Sequence, residues 1–168
     1  IGYSSDKKKM NVYIKIVEGV KYKFRNFTWE GNTLYDEETL SRVLGLKNGA
    51  TYNEENFNQA VYERMQSLYM DRGYIYSRIE PIVTPVGSDS LDIHFRISEN
   101  HKVFVRNIII GGNTKTRENV IRRELRIFPG DVFSREKLIR SQQAAWMLNY
   151  FSNVVPDVVP VDEDQVDL

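Results

Sequence analysis

Arg25-Asn26-Phe27-Thr28-Trp29-Glu30-Gly31-Asn32-Thr33 returns as Arg106-Asn107-Ile108-Ile109-Ile110-Gly111-Gly112-Asn113-Thr114, an offset of 81 residues. The two stretches belong to a longer self-alignment: residues 10–64 lie on residues 91–145 without a gap, and thirteen of the fifty-five paired positions are identical. Average composition gives about three or four identities by chance. A repeat of domain size sets the architecture before any single motif is weighed. Leu44 to Gly49 (LGLKNG) likewise returns as Leu125 to Gly130 (LRIFPG), followed by Tyr52-Asn53-Glu54-Glu55 in one copy and Phe133-Ser134-Arg135-Glu136 in the other.

Outward from the repeated stretch, each copy spells the same elements. A strand is expected over about Tyr22 to Glu30 and Val103 to Gly111, with Phe27 and Trp29, matched by Ile108 and Ile110, facing the core. The Gly-Asn-Thr after each strand is a turn signal, since Gly and Asn tolerate positive φ. Leu40, Val43 and Leu44, matched by Ile121 and Leu125, recur at helical spacing. After turns at Asn48-Gly49 and Pro129-Gly130, Asn53 and Ser134 stand at N-cap positions of a second helix. That helix carries Phe57, Val61, Met65 and Leu68 in copy one, and Leu138, Ala145 and Trp146 in copy two. Gly73 and Asn149 read as the left-handed residues that stop it. A strand over about Ser77 to Pro85 and a Gly87-Ser88-Asp89 turn follow. They lead to Leu91–Ser98, which alternates Leu91, Ile93, Phe95 and Ile97 with Asp92, His94, Arg96 and Ser98. The order strand, helix, helix, strand, strand makes strands one and three parallel and strands two and three antiparallel.

Composition bounds the function. With 168 residues there is room for two small domains, and 41% hydrophobic with 27% charged residues is ordinary for globular protein. Formal net charge is zero, which argues against a dedicated nucleic-acid binder relying on clustered Lys and Arg. The absence of cysteine removes disulfides, thiolate metal sites and cysteine nucleophiles. No apolar run approaches the roughly 20 residues that span a bilayer, and the N-terminus carries no signal-peptide pattern, so the chain shown reads as soluble.

The register of the repeat divides the chain. Met10 to Val17 matches Leu91 to Ser98, so residues 1–19 read as the final strand of a preceding repeat, 20–100 as a complete domain, and 101–168 as a second domain whose last strand is cut short. Val166-Asp167-Leu168 falls where Leu91-Asp92-Ile93 sits. A strand without its sheet is open to pairing, and residues 1–18 are expected to add to a neighbouring chain or to pack out of place.

The tandem βααββ units, the strand-end Gly-Asn and the Leu-x-x-x-x-Gly turn form one part of a family pattern. The others are Asp71-Arg72-Gly73-Tyr74 and Arg122-Arg123-Glu124-Leu125 ahead of Pro129-Gly130-Asp131. Together they resemble POTRA domains over essentially the whole chain. The resemblance implies an α+β fold of two tandem POTRA-like βααββ domains, each a three-stranded mixed sheet with two antiparallel helices on one face. It implies no enzymatic activity and no cofactor. It implies a place at the periplasmic face of the bacterial outer membrane, in an array leading to a C-terminal β-barrel outside these residues. Implied partners are unfolded outer-membrane protein clients and accessory periplasmic lipoproteins, with no nucleic acid; the second copy is most similar to the membrane-proximal domain, which makes the pair the last two of the array.

Three candidate sites follow. The second strand of the unit is an edge, so Ser77, Arg78, Ile79, Glu80, Ile82 and Val83 could accept a client strand through main-chain bonds, while Pro81 and Pro85 could equally protect that edge. Lys115, Arg117, Arg122, Arg123 and Arg126 form a basic helix that suits an acidic lipoprotein surface or lipid head groups, or is simply a solvated face. Glu99, Asn100 and His101 are the expected hinge between domains, too short for free tumbling. An enzyme has little support: His94 shares a polar strand face with Asp92 and Arg96, and no nucleophile, base and orienting group can be named together. The alternatives are a POTRA pair of a two-partner secretion transporter and, more distantly, an RNA-binding α/β module.

Overall fold

The computed structural model describes residues 2–3 and 10–168. Two short strands, β1 (Gly2–Tyr3) and β2 (Met10–Asn11), pair antiparallel. Residues 12–20 form no strand, although their alternation is expected to make one. Alternation needs a sheet to bury its apolar face, and among the described residues nothing pairs with Val12 to Val20. The rest of the expectation for residues 1–9 lies largely outside the described residues.

The first domain comprises β3 (Lys23–Glu30), α1 (Glu37–Leu44), α2 (Glu54–Asn58), α3 (Gln66–Met70), β4 (Arg78–Val86) and β5 (Ser90–Ser98). Between α2 and α3 the helix continues through a π-wound stretch, Gln59–Met65. The sheet order is β3-β5-β4, with β3 parallel and β4 antiparallel to the central β5. The second domain repeats it: β6 (Phe104–Asn107), α4 (Glu118–Arg122), α5 (Arg135–Met147), β7 (Val159–Pro160) and β8 (Gln165–Asp167), in the order β6-β8-β7. Val105 pairs with Val166 and Asn107 with Asp167, as Phe24 pairs with Leu91 and Asn26 with Asp92. Residues 108–111 extend past the last partner in β8 and lose the strand form expected for them.

A β-bulge explains which side chains fill each core. The register shifts between Phe24 and Asn26 and again between Val105 and Asn107. The bulge moves the buried parity by one, so Phe24 and Val105 are buried as well as the half-buried Phe27, Trp29, Ile108 and Ile110. The residue at each bulge is an arginine that reaches the central strand: Arg25 Nε donates to Asp92 at 2.7 Å, and Arg106 Nε and Nη2 to Asp167 at 2.9 and 2.6 Å. The forked geometry fits a carboxylate with two parallel bonds. It also holds both carboxyls below their usual range.

The helices cover one face of the sheet. Asn53 and Ser134 cap as expected, accepting from the N–H of Asn56 at 2.8 Å and of Lys137 at 3.2 Å. Leu40, Leu44, Phe57, Val61 and Met65 are buried against Ile93, Phe95 and Ile97. The π-wound turn carries more than 3.6 residues, so the stripe runs 57, 61, 65 and then to Tyr69, with Leu68 only partly buried. Gly73 and Asn149 end these helices at φ 90° and 56°. Trp146 departs from the expectation: it is 59% exposed, and Ser141 and Ala145 take the inward positions of α5.

Candidate functional site

The free edge of the first sheet is β4, and its chemistry follows from hydrogen-bond parity. Lys23 N–H donates to the Asp89 carbonyl, so odd-numbered backbone groups of the β5 segment face β3 and even-numbered ones face β4. Those even positions meet Arg78, Glu80, Ile82, Thr84 and Val86. Ile79, Pro81, Val83 and Pro85 therefore turn their backbone groups outward. Proline has no N–H, so the edge offers four carbonyls and only the N–H groups of Ile79 and Val83.

The second domain carries the same device. Val161 N–H donates to the Gln165 carbonyl, which orients Gln165 toward β7 and leaves Pro160 outward. Pro160 stands opposite Val166 as Pro85 stands opposite Leu91. The same register brings Pro156 to the place of Pro81. The gapless self-alignment ends before these strands, so the paired prolines emerge only from the sheet register. Of the residues expected on the first edge, Arg78, Ile79, Glu80, Ile82 and Val83 lie in β4. Ser77 precedes it, buried, with its hydroxyl donated to the Tyr74 carbonyl at 2.7 Å.

The basic segment is largely self-paired. Arg122 Nε donates to Glu118 at 2.7 Å and its Nη2 to the Ile108 carbonyl at 2.8 Å, while Arg123 Nε reaches Glu124 at 3.2 Å. Lys115, Arg117 and Arg126 are exposed. The helix expected here is a single short element, Glu118–Arg122, with Leu125 in the turn beyond it.

The joint is a web of directed contacts. Glu99 accepts from the N–H of Thr33 at 2.9 Å and of Leu34 at 3.0 Å, from the Thr33 hydroxyl, and from the Tyr69 hydroxyl at 3.4 Å. Burial pushes the Glu99 carboxyl up, but these donors outweigh it and hold the group below the usual carboxylate range. Burial and the Glu99 charge push the Tyr69 phenol up. Asn100, at φ 57°, donates its amide to the Tyr76 carbonyl at 2.6 Å, and His101 Nε2 lies against the Glu163 carbonyl.

Residues that the sequence pass assigned only to a helix end carry the domain contact. Asp71 Oδ1 accepts from Glu136 N–H at 2.6 Å and from the Ser134 hydroxyl at 3.4 Å, placing a first-domain carboxylate at the N-terminus of α5. A negative charge there complements the helix dipole. Gly73 carbonyl accepts Val103 N–H at 2.9 Å, and a Cβ on Gly73 would stand 2.5 Å from Val132 Cγ1. Arg135 reaches Ser67, while Met70, Ile75 and Tyr76 pack on the Val103, Phe133 and Val166 cluster. The motif Asp71-Arg72-Gly73-Tyr74 was visible in the sequence; its partners more than sixty residues away were not.

The POTRA family model, described as surface antigen variable number repeat, matches residues 22–100 and 103–168. The chain is 33% identical over 98% of its length to the outer membrane protein assembly factor BamA of Neisseria meningitidis serogroup B, of which it covers 21%. It is 32% identical over 94% of its length to BamA of Nitratidesulfovibrio vulgaris, covering 20%. The chain thus spans about a fifth of the length of these curated relatives. Among solved structures, the crystal structure of Haemophilus influenzae BamA POTRA3-5 aligns at a TM-score of 0.83 and 20% identity, covering 99% of this chain and 66% of that one. BamA from Haemophilus ducreyi lacking POTRA domains 1-3 aligns at 0.70 and 19% identity, covering 88% and 28%. Both are likenesses of fold.

Proposed function

This chain belongs to the POTRA family, and from that premise we propose that it is a periplasmic module of an outer-membrane β-barrel assembly machine. In this reading it holds unfolded outer-membrane protein precursors by strand addition and presents a docking face to accessory lipoproteins. The observation that carries the proposal is the outward edge of β4. Its backbone groups belong to no ladder among the described residues, and main-chain pairing is indifferent to the client's side chains. The outward prolines remove two of four donors, so an added strand forms an incomplete ladder. Incomplete pairing suits a client that must leave again, and it limits pairing between edges of two copies.

Of the basic residues, Lys115, Arg117 and Arg126 are the ones left to meet an acidic partner, because Arg122 and Arg123 already have carboxylate partners. The locked joint then keeps the β4 edge and this basic face in a constant relation. Amide exchange tests the client reading. An excess of a peptide copying one amphipathic strand of an outer-membrane protein should slow exchange at Ile79 and Val83 N–H and leave the β3 edge unchanged. Equal slowing along β3, or none at Ile79 and Val83, would contradict it.

A further inference from the structure

The second domain is open where the first is filled. In the first, β5 carries Ile93, Phe95 and Ile97 beneath the helices at 1%, 0% and 4% exposure. In the second, Leu168 holds the position of Ile93, with Ile109 N–H donating to its carbonyl at 2.7 Å, and the ladder goes no further among the described residues. The space that Phe95 and Ile97 fill in the first domain is here an apolar groove of about 340 Å³ lined by Ile108, Ile110, Ile121, Leu125, Leu138 and Ala145. One wall is the backbone of residues 108–111 and the other that of residues 154–157. Each presents unpaired strand-edge groups to the gap.

The chain carries another copy of the missing strand. Tyr13-Ile14-Lys15-Ile16-Val17 is register-equivalent to His94-Phe95-Arg96-Ile97-Ser98. In the structure Ile14 and Ile16 are 78% and 76% exposed. We propose that residues Tyr13–Val17 of one copy fill the groove in the second domain of another copy, so that this chain associates head to tail by strand donation. The incoming strand runs parallel to residues 108–111 and antiparallel to residues 154–157, as β5 runs between β3 and β4. Ile14 then takes the place of Phe95 and Ile16 that of Ile97. Lys15 faces solvent, and Tyr13 stands opposite Asp157. Main-chain bonds on both sides add to the burial of two isoleucines that are otherwise in water. Donor and groove are different surfaces, so the contact is heterologous and closes into a ring or grows into a chain.

Sedimentation of the 168-residue chain over a concentration series tests this. The proposal expects mass to rise with concentration, and I14D/I16D to raise the concentration of half association at least ~10-fold. Both side chains are exposed in the isolated chain, so the variant should keep its circular dichroism and melting temperature. The chain has no cysteine, which allows a clean cross-linking test. Oxidising a mixture of Tyr13→Cys and Asp157→Cys proteins should give the mixed disulfide, because directly opposed residues bring their Cβ atoms within bridging distance. Ile14→Cys mixed with Asp157→Cys points to opposite faces and should not. A chain that stays monomeric, association that I14D/I16D leaves unchanged, or equal cross-linking in the two mixtures would each overturn the proposal.

Discussion

Glu99 shows how one side chain is recruited from a loop into the frame of the first domain. It closes Gly31-Asn32-Thr33-Leu34 against the end of β5 by taking the N–H groups of Thr33 and Leu34. Its carboxyl lies below the ordinary carboxylate range, despite burial acting the other way, because the ionised form accepts those bonds. A lowered folded value means that this stabilisation is complete above the unfolded carboxylate value, near pH 4.3, and disappears as pH falls through the folded one. Comparing urea midpoints from about pH 5 down to about pH 3, Glu99→Gln should flatten the acid-side loss of stability relative to the parent protein. An identical slope in the two proteins would remove Glu99 from the account. The Asp92 and Asp167 carboxyls shift in the same direction against their arginines and contribute to the same acid limb.

At the scale of elements, legibility followed locality. N-caps, helix stops and the Gly-Asn turns were readable because each depends on a few adjacent residues: Asn32 and Asn113 both donate their amides to the carbonyl three residues on, at 3.0 Å. The bulges, the π-wound turn and the outward prolines were hidden, since each is defined by register against another segment. Trp146 was misplaced because α5 has a weak apolar face, and Ser141 rather than an apolar residue holds its inward line. The expected strand at residues 12–17 failed for want of a sheet. Of the candidate site, the edge strand was legible, but its donor-poor character was not, since that requires knowing which parity faces out. Replacing Pro81 and Pro85 by threonine restores two edge donors without touching the inward ladder. This variant should bind strand peptides more tightly, by about 0.5–1.5 kcal/mol per donor used, and should scatter more light on concentration. Calorimetric titration and turbidity measure both effects.

For the molecule as a whole, the joint decides whether two domains act as one body. Asp71, Gly73, Val103 and Ser134 tie the end of α3 to the start of the second domain, and an apolar cluster shared by both domains lies behind them. Asp71→Ala leaves Glu136 N–H without its carboxylate at a cost of about 1–2 kcal/mol. Spin labels on exposed positions of the two domains should give a narrow distance distribution in the parent and a broader one in this variant. A rigid pair carries the β4 edge at a constant attitude to whatever follows the second domain, which is what delivery of a strand in one direction requires. The direct test is cross-linking in cells. A photoreactive residue at Val83, on the outward edge, is compared with one at Thr28, on the opposite strand of the same sheet, in cells synthesising outer-membrane proteins. The account predicts adducts with newly made barrel precursors from Val83 and few from Thr28. Precursor adducts absent at Val83, or as abundant at Thr28, would contradict it.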